Sequence, residues 1–161
     1  MNKDLLKKKI LSEISNSFEY NSFEHAWWDD GDLEEVLEEF EEWINESFPE
    51  FFENNLFKDK KFYLEIVKFN GMLLRFADET LQKDKELVLV ALNNCGRALQ
   101  EVHQSLLNDE DVVLKAIEID EYAEKNILPL IKDEKLKKYL KIGIEIEKRR
   151  RLVDDSEPWR Y

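Results

Sequence analysis

Residues 56–80 read LFKDKKFYLEIVKFNGMLLRFADET, residues 81–105 read LQKDKELVLVALNNCGRALQEVHQS, and residues 106–130 read LLNDEDVVLKAIEIDEYAEKNILPL. At this step of 25 residues Leu56, Leu81 and Leu106 coincide, as do Asp59, Asp84 and Asp109. Apolar residues coincide at Phe62, Leu87 and Val112, at Leu64, Leu89 and Leu114, and at Val67, Leu92 and Ile117. Gly71 matches Gly96, and Leu74 matches Leu99. Self-similarity at a period of roughly 20–50 residues marks a stacked-repeat architecture.

Each unit reads as two helices. The Asp is placed to N-cap the first, accepting backbone N–H groups that have no partner inside the helix. Apolar residues then recur at three-to-four spacing for about three turns. Asn70-Gly71 and Cys95-Gly96 end that helix, with Gly expected in the left-handed conformation. A second, shorter helix is expected over Met72–Thr80 and Arg97–Ser105. The third unit has Glu121 in place of Gly, and a degraded fourth begins near Asp133, one residue out of phase, with Leu140 at the matching position. Atypical terminal units are common in such stacks.

Outward from the repeats, Leu33, Val36, Leu37, Phe40 and Ile44 form an amphipathic stripe, with Asp32 and Glu35 as its capping pair. Ser47-Phe48-Pro49-Glu50 reads as a helix stop and a new start, with Ser47 as the cap. Residues 3–15 form a short helix with Leu6, Ile10 and Ile14 on one face. Asn16 to Gly31 reads as irregular, pinned by Phe18, Tyr20, Phe23, Trp27 and Trp28. Glu134–Leu152 reads as a long helix, basic toward its end. The expected organisation is one all-α domain over 1–161: acidic, aromatic-rich helices over 1–55, helical repeats over 56–130, a basic helix over 131–153 and a tail over 154–161. The repeats make either a compact helical bundle or a short α-solenoid, and with two clear units and a partial third the bundle is expected.

Composition agrees. Four Gly and three Pro in 161 residues leave little for turns, and 12% aromatic residues argue against disorder despite 38% charged ones. No run approaches the ~20 apolar residues of a membrane span, and the N-terminus, with Lys3, Lys7, Lys8 and Lys9, lacks the apolar core of a signal peptide. The lone Cys95 excludes an internal disulfide and makes a reducing cytoplasm the expected location.

At the repeats the chain resembles an uncharacterised bacterial tandem helical-repeat family, a domain of unknown function. The resemblance is carried by Leu106, Asn108, Asp109, Val112, Val113, Leu114 and Ala116, matching the family's L-x-N-D-x-x-V-V-L-x-A, and by Gly96, Ala98 and Leu99, matching its N-G-x-A-L. It covers about residues 56–120 and implies a fold; it brings no catalytic residues.

Chemistry is sparse. Cys95 with His103 or His25 is the one nucleophile–base set worth considering. Cys95 aligns with Asn70 before the helix-ending Gly, and His103 aligns with Asp78, so both positions read as structural. Two His and one Cys have no zinc spacing, and Asp29-Asp30-Gly31-Asp32 lacks the alternating ligands of a calcium loop. No phosphate loop or Ser-centred elbow occurs. The expectation is a protein that is not an enzyme and uses no metal or cofactor.

Charge is more informative. Residues 29–53 hold twelve acids and no Lys or Arg, nearly all of the net charge of −13. Glu34–Glu38, Glu35–Glu39, Glu38–Glu42 and Glu42–Glu46 are like-charged pairs at i,i+4, together costing roughly 1–2 kcal/mol in an isolated helix. Two explanations stay open. Lys135, Lys137, Lys138, Lys141 and Arg149–Arg151 neutralise the row within the chain, which is then a structural scaffold; or the row meets a basic protein. Trp27 and Trp28 stand beside it, either as plugs of the helical stack or as aromatic anchors. The basic run ending at Arg151 suits a helix C-terminus, and the acidic balance speaks against direct nucleic-acid binding just as the lack of an apolar span speaks against a membrane. The expected function is therefore a binding module that docks or neutralises a basic toxin, effector or nucleic-acid enzyme, in the manner of an immunity protein or inhibitor. The expected partner-binding residues are Trp27, Trp28, Asp29, Asp30, Glu34, Glu38, Glu41 and Glu42, within the stretch Trp27 through Glu53.

Overall fold

The computed structural model describes residues 2–18, 33–120 and 123–154, and among these every regular element is helical. In chain order they are α1 (Lys3–Phe18), α2 (Leu33–Ser47), α3 (Glu50–Glu53), α4 (Lys60–Phe69), α5 (Glu79–Gln82), α6 (Lys85–Asn94), α7 (Glu110–Ile119), α8 (Ala123–Asn126) and α9 (Glu134–Asp154), with short 3-10 segments between them.

The predicted Asp caps are in place. Asp59, Asp84 and Asp109 each accept the N–H three residues on, at 3.1, 3.1 and 3.3 Å. The buried faces recur as well: Phe62, Tyr63, Ile66 and Val67 on α4; Leu87, Val88, Ala91 and Leu92 on α6; Val112, Val113, Ala116 and Ile117 on α7. Leu64, Leu89 and Leu114 repeat in sequence but stand at the margin, half-buried in the first two cases and 39% exposed in the third. Helix α6 packs between α4 and α7, so consecutive units lie side by side.

Two expectations about the turns are corrected. Neither Gly71 nor Gly96 has positive φ. The preceding Asn70 and Cys95 are extended, at φ −151° and −145°. Glycine is required instead because the next unit passes too close. A Cβ on Gly71 would lie 2.2 Å from the Ala91 carbonyl oxygen, and one on Gly96 would lie 2.4 Å from that of Ala116. The second helices also differ from Met72–Thr80 and Arg97–Ser105. Each is a 3-10 segment, Gly71–Phe76 or Gly96–Glu101, followed by an extended break and a short turn. The break occurs because the Asp78 N–H bonds back to Phe57 O (2.8 Å) and the His103 N–H to Gln82 O (3.2 Å), each near the start of the same unit.

Ion pairs follow the same step. Lys60 Nζ meets Asp84 at 2.8 Å and Glu86 at 2.7 Å; Lys85 Nζ meets Asp109 at 2.8 Å and Asp111 at 2.7 Å. Partial burial pushes the Asp84 carboxyl up, and the Lys60 ammonium and Leu87 N–H outweigh it, leaving it below the ordinary value. The Lys85 ammonium holds Asp109 low in the same way. Solvent screening keeps such half-exposed pairs weak, so they align units that the apolar core holds together. Helix α1 supplies the missing first rung, Lys7 to Asp59 at 2.5 Å, while burying Leu6, Ile10 and Ile14.

Elsewhere α1 runs on to Phe18, past the expected end at residue 15, since nothing in Asn16-Ser17-Phe18 breaks a helix. Ser47 closes α2, and Pro49, without a side-chain cap bond, precedes α3. Pro suits a helix start because it has no N–H to satisfy. Asn55, at φ 52°, turns the chain into the first unit; Asn tolerates this left-handed region. At the far end Asp133 caps α9, accepting from Lys135 and Leu136 N–H at 2.9 Å, and Leu140 is buried as the fourth-unit reading expects. Asp32 and Glu121 lie outside the described residues, as does all of the tail but Asp154.

The glycine argument predicts opposite signs for one substitution at two places. Gly96→Ala should lose about 2–3 kcal/mol by forcing two backbones apart. Gly143→Ala, in α9 with nothing within 4 Å of the new Cβ, should gain about 0.5–1 kcal/mol. Thermal unfolding, at roughly 2–4 °C per kcal/mol for this chain length, reads both; equal midpoints for the two variants would contradict the close-approach account.

Candidate functional site

Leu37, Phe40 and Ile44 anchor α2, each no more than 4% exposed. The anchoring is aromatic. Phe40 stacks on Phe76 of the first unit at 5.4 Å between centroids, and Trp43 meets Phe40 at 5.6 Å and Phe48 at 5.3 Å. Lys9 of α1 lies over the Phe48 ring at 5.3 Å. This fixes which way α2 faces.

The outward face carries Glu38, Glu39, Glu41, Glu42 and Glu46, all exposed. None of the five has an ion-pair or hydrogen-bond partner among the described residues. Glu38, Glu41, Glu42, Asn45 and Glu46 line a shallow open depression. Among the described residues the basic helix forms no ion pair with them: Lys137 pairs with Glu134, Arg149 with Glu145 and Lys148 with Glu124, all at the C-terminal end of the chain.

Of the expected partner-binding residues, Glu38, Glu41 and Glu42 therefore stand together. Glu34 is described only as part of the α2 backbone, and Trp27, Trp28, Asp29 and Asp30 lie outside the described residues. Trp43, Glu39 and Glu46 belong with the row although the sequence reading did not place them in the site. Trp43 follows Phe40 by three residues, a spacing that puts both on adjoining parts of one face.

The Cys95–His103 pair is not assembled. Cys95 is 3% exposed and ends α6 where Asn70 ends α4. Burial pushes its thiol up to about 12, against the opposing pull of the Ala98 and Arg97 amides. His103 serves as a cap: Nδ1 accepts the Ser105 N–H at 3.1 Å, which places the proton of the neutral ring on Nε2, 3.3 Å from Glu79. No hydrogen bond joins the two residues, and His25 lies outside the described ones. Among the described residues no three His, Cys, Asp or Glu converge to hold a metal, and no helix is long and apolar enough to cross a membrane.

The family model of a domain of unknown function (DUF4116) matches the chain twice, over residues 59–104 and 86–134. The chain is similar to this family from the Asp59 cap to the first residue of α9, a stretch longer at its C-terminal end than the resemblance over 56–120 implied. The acidic helix α2 lies outside both matches. No curated protein and no solved structure matches the chain.

Thiolate, not thiol, is the reactive form. Cys95 should accordingly resist a thiol-reactive disulfide reagent at about pH 8 in the native protein and react fully in denaturant. Prompt native labelling would contradict the burial described.

Proposed function

We propose that the chain is a non-enzymatic binding module whose α2 face docks a basic surface of a protein partner. The observation that carries this reading is the row of five exposed glutamates without ion-pair or hydrogen-bond partners among the described residues, set on a helix whose other face is locked by Leu37, Phe40 and Ile44. Like charges at i,i+4 cost stability in the free chain, and an incoming cationic surface relieves that cost. A rigid element presenting regularly spaced carboxylates also suits mimicry of a phosphate backbone, so a toxin, effector or nucleic-acid enzyme is the partner class favoured. Asp29 and Asp30 would extend the acidic field, and Trp27 and Trp28 would add apolar anchorage. The repeats serve as scaffold in this reading, residues 1–161 act as one helical domain, and the single buried thiol accords with a reducing cytoplasm.

The test is capture from an extract of the native host on immobilised protein. A basic protein should be retained at about 50 mM salt and released near 500 mM, where charges are screened over a few ångströms. The triple reversal Glu38→Lys, Glu41→Lys and Glu42→Lys should lower retention at least about tenfold. Retention of every partner by the reversed protein would refute the acidic-face reading.

A further inference from the structure

Helix α9 has a second apolar face. Leu140 and Ile144 are buried, while Tyr139, Ile142 and Ile146 are 59, 56 and 59% exposed. These three stand at i, i+3 and i+7 and form one stripe. Single exposed apolar residues are ordinary, but a contiguous stripe on one helix is a patch that a partner covers. Lys132, Lys135 and Lys138 lie at its N-terminal end, exposed and without an ion-pair partner among the described residues. Two acids of the same helix are already occupied: Glu134 pairs with Lys137 and Glu145 with Arg149, both at 3.1 Å. The surface is thus apolar and cationic.

The same chain carries its complement. The glutamate row from Glu38 to Glu46 spans about 12 Å at 1.5 Å per residue, and the stripe from Tyr139 to Ile146 spans about 10 Å. Half-buried Trp43 borders the glutamates, and Phe52 on α3 is 42% exposed, so the acidic side has apolar surface to offer as well. Within one molecule no ion pair or hydrogen bond joins the two surfaces among the described residues.

We propose that a second copy of this chain is a partner for α2, with α2 of each protomer set against α9 of the other about a two-fold axis. Such an interface is self-complementary, because each contact occurs twice. The proposal rests on α2 being a binding face and identifies one occupant of it. The net charge of −13 opposes approach at long range, but beyond about 8 Å it is screened at physiological salt, leaving the local complementarity to decide.

Light-scattering mass after gel filtration tests this, at about 100 µM protein so that micromolar association is visible. The wild type should run at twice its 19.4 kDa. The reversal Glu38→Lys, Glu41→Lys and Glu42→Lys makes both faces basic, and Lys132→Glu, Lys135→Glu and Lys138→Glu makes both acidic. Each variant alone should be monomeric with unchanged helical circular dichroism, and an equimolar mixture should regain the dimer mass. A monomeric wild type overturns the proposal whatever the variants do, as does a dimer that survives either reversal or a mixture that stays monomeric. Capture of a basic host protein that still depends on the α2 glutamates would leave the functional reading standing after such a failure; loss of both would remove it too.

Discussion

Two glycines let consecutive units come closer than side chains would allow. Gly71 sits on the carbonyl of Ala91 and Gly96 on that of Ala116, at distances where no Cβ fits. The receiving residues are small for the same reason. Ala91 and Ala116 occupy the position held in the first unit by Ile66, which has no preceding glycine turn to accommodate and can fill its space with a large side chain. Asn94 strengthens the contact from the second unit, accepting the Gly71 N–H at 2.7 Å and donating to Lys68 O at 3.0 Å. One side chain thereby satisfies a carbonyl and an amide that the end of α4 leaves open.

With that spacing set, the remaining contacts follow at the same step: the lysine-to-Asp rungs, the backbone bonds from Asp78 and His103, and the packing of one 3-10 segment on the next. The ladder is closed differently at its two ends. Helix α1, unrelated to the repeat, lends Lys7 to the first Asp. At the other end Glu110 replaces Lys60 and Lys85, so no further rung can form, and α8, the 3-10 turn Leu128–Leu130 and α9 cover the stack with Ile127, Leu128, Ile131 and Leu140. Such distinct ends are what a short repeat array needs, since each internal unit otherwise leaves an apolar face open.

The caps and most of the core were legible in the sequence because they depend on local rules. An Asp before an apolar run is a helix start in any context, and Val67, Leu92 and Ile117 are buried as their period implies. What the sequence hid was non-local. Glycine at a helix end carries the same letter whether it answers a backbone angle or a neighbour's carbonyl, and here it answers the neighbour. Leu64, Leu89 and Leu114 show the complementary error, since an apolar residue can repeat faithfully and still mark only the margin of the core. For the site, the charge of α2 was plain, but the absence of compensating pairs among the described residues depended on where α9 lies. The part played by Trp43 likewise emerged only with Phe40 and Phe48 placed around it.

The scaffold thus explains how an acidic helix is displayed, through a stack whose register is set by backbone contact between units. Amide hydrogen exchange tests that register most directly. The Gly71 N–H bonds across units to Asn94 Oδ1, while the Asp78 and His103 N–H groups, which lie outside the helices, close the ends of their own units onto Phe57 O and Gln82 O. The account predicts that all three exchange as slowly as the interiors of α4 and α6, and that Asn94→Ala frees Gly71 while α4 stays protected. Exchange of these amides at the rate of an open chain, with the helices still protected, would contradict it.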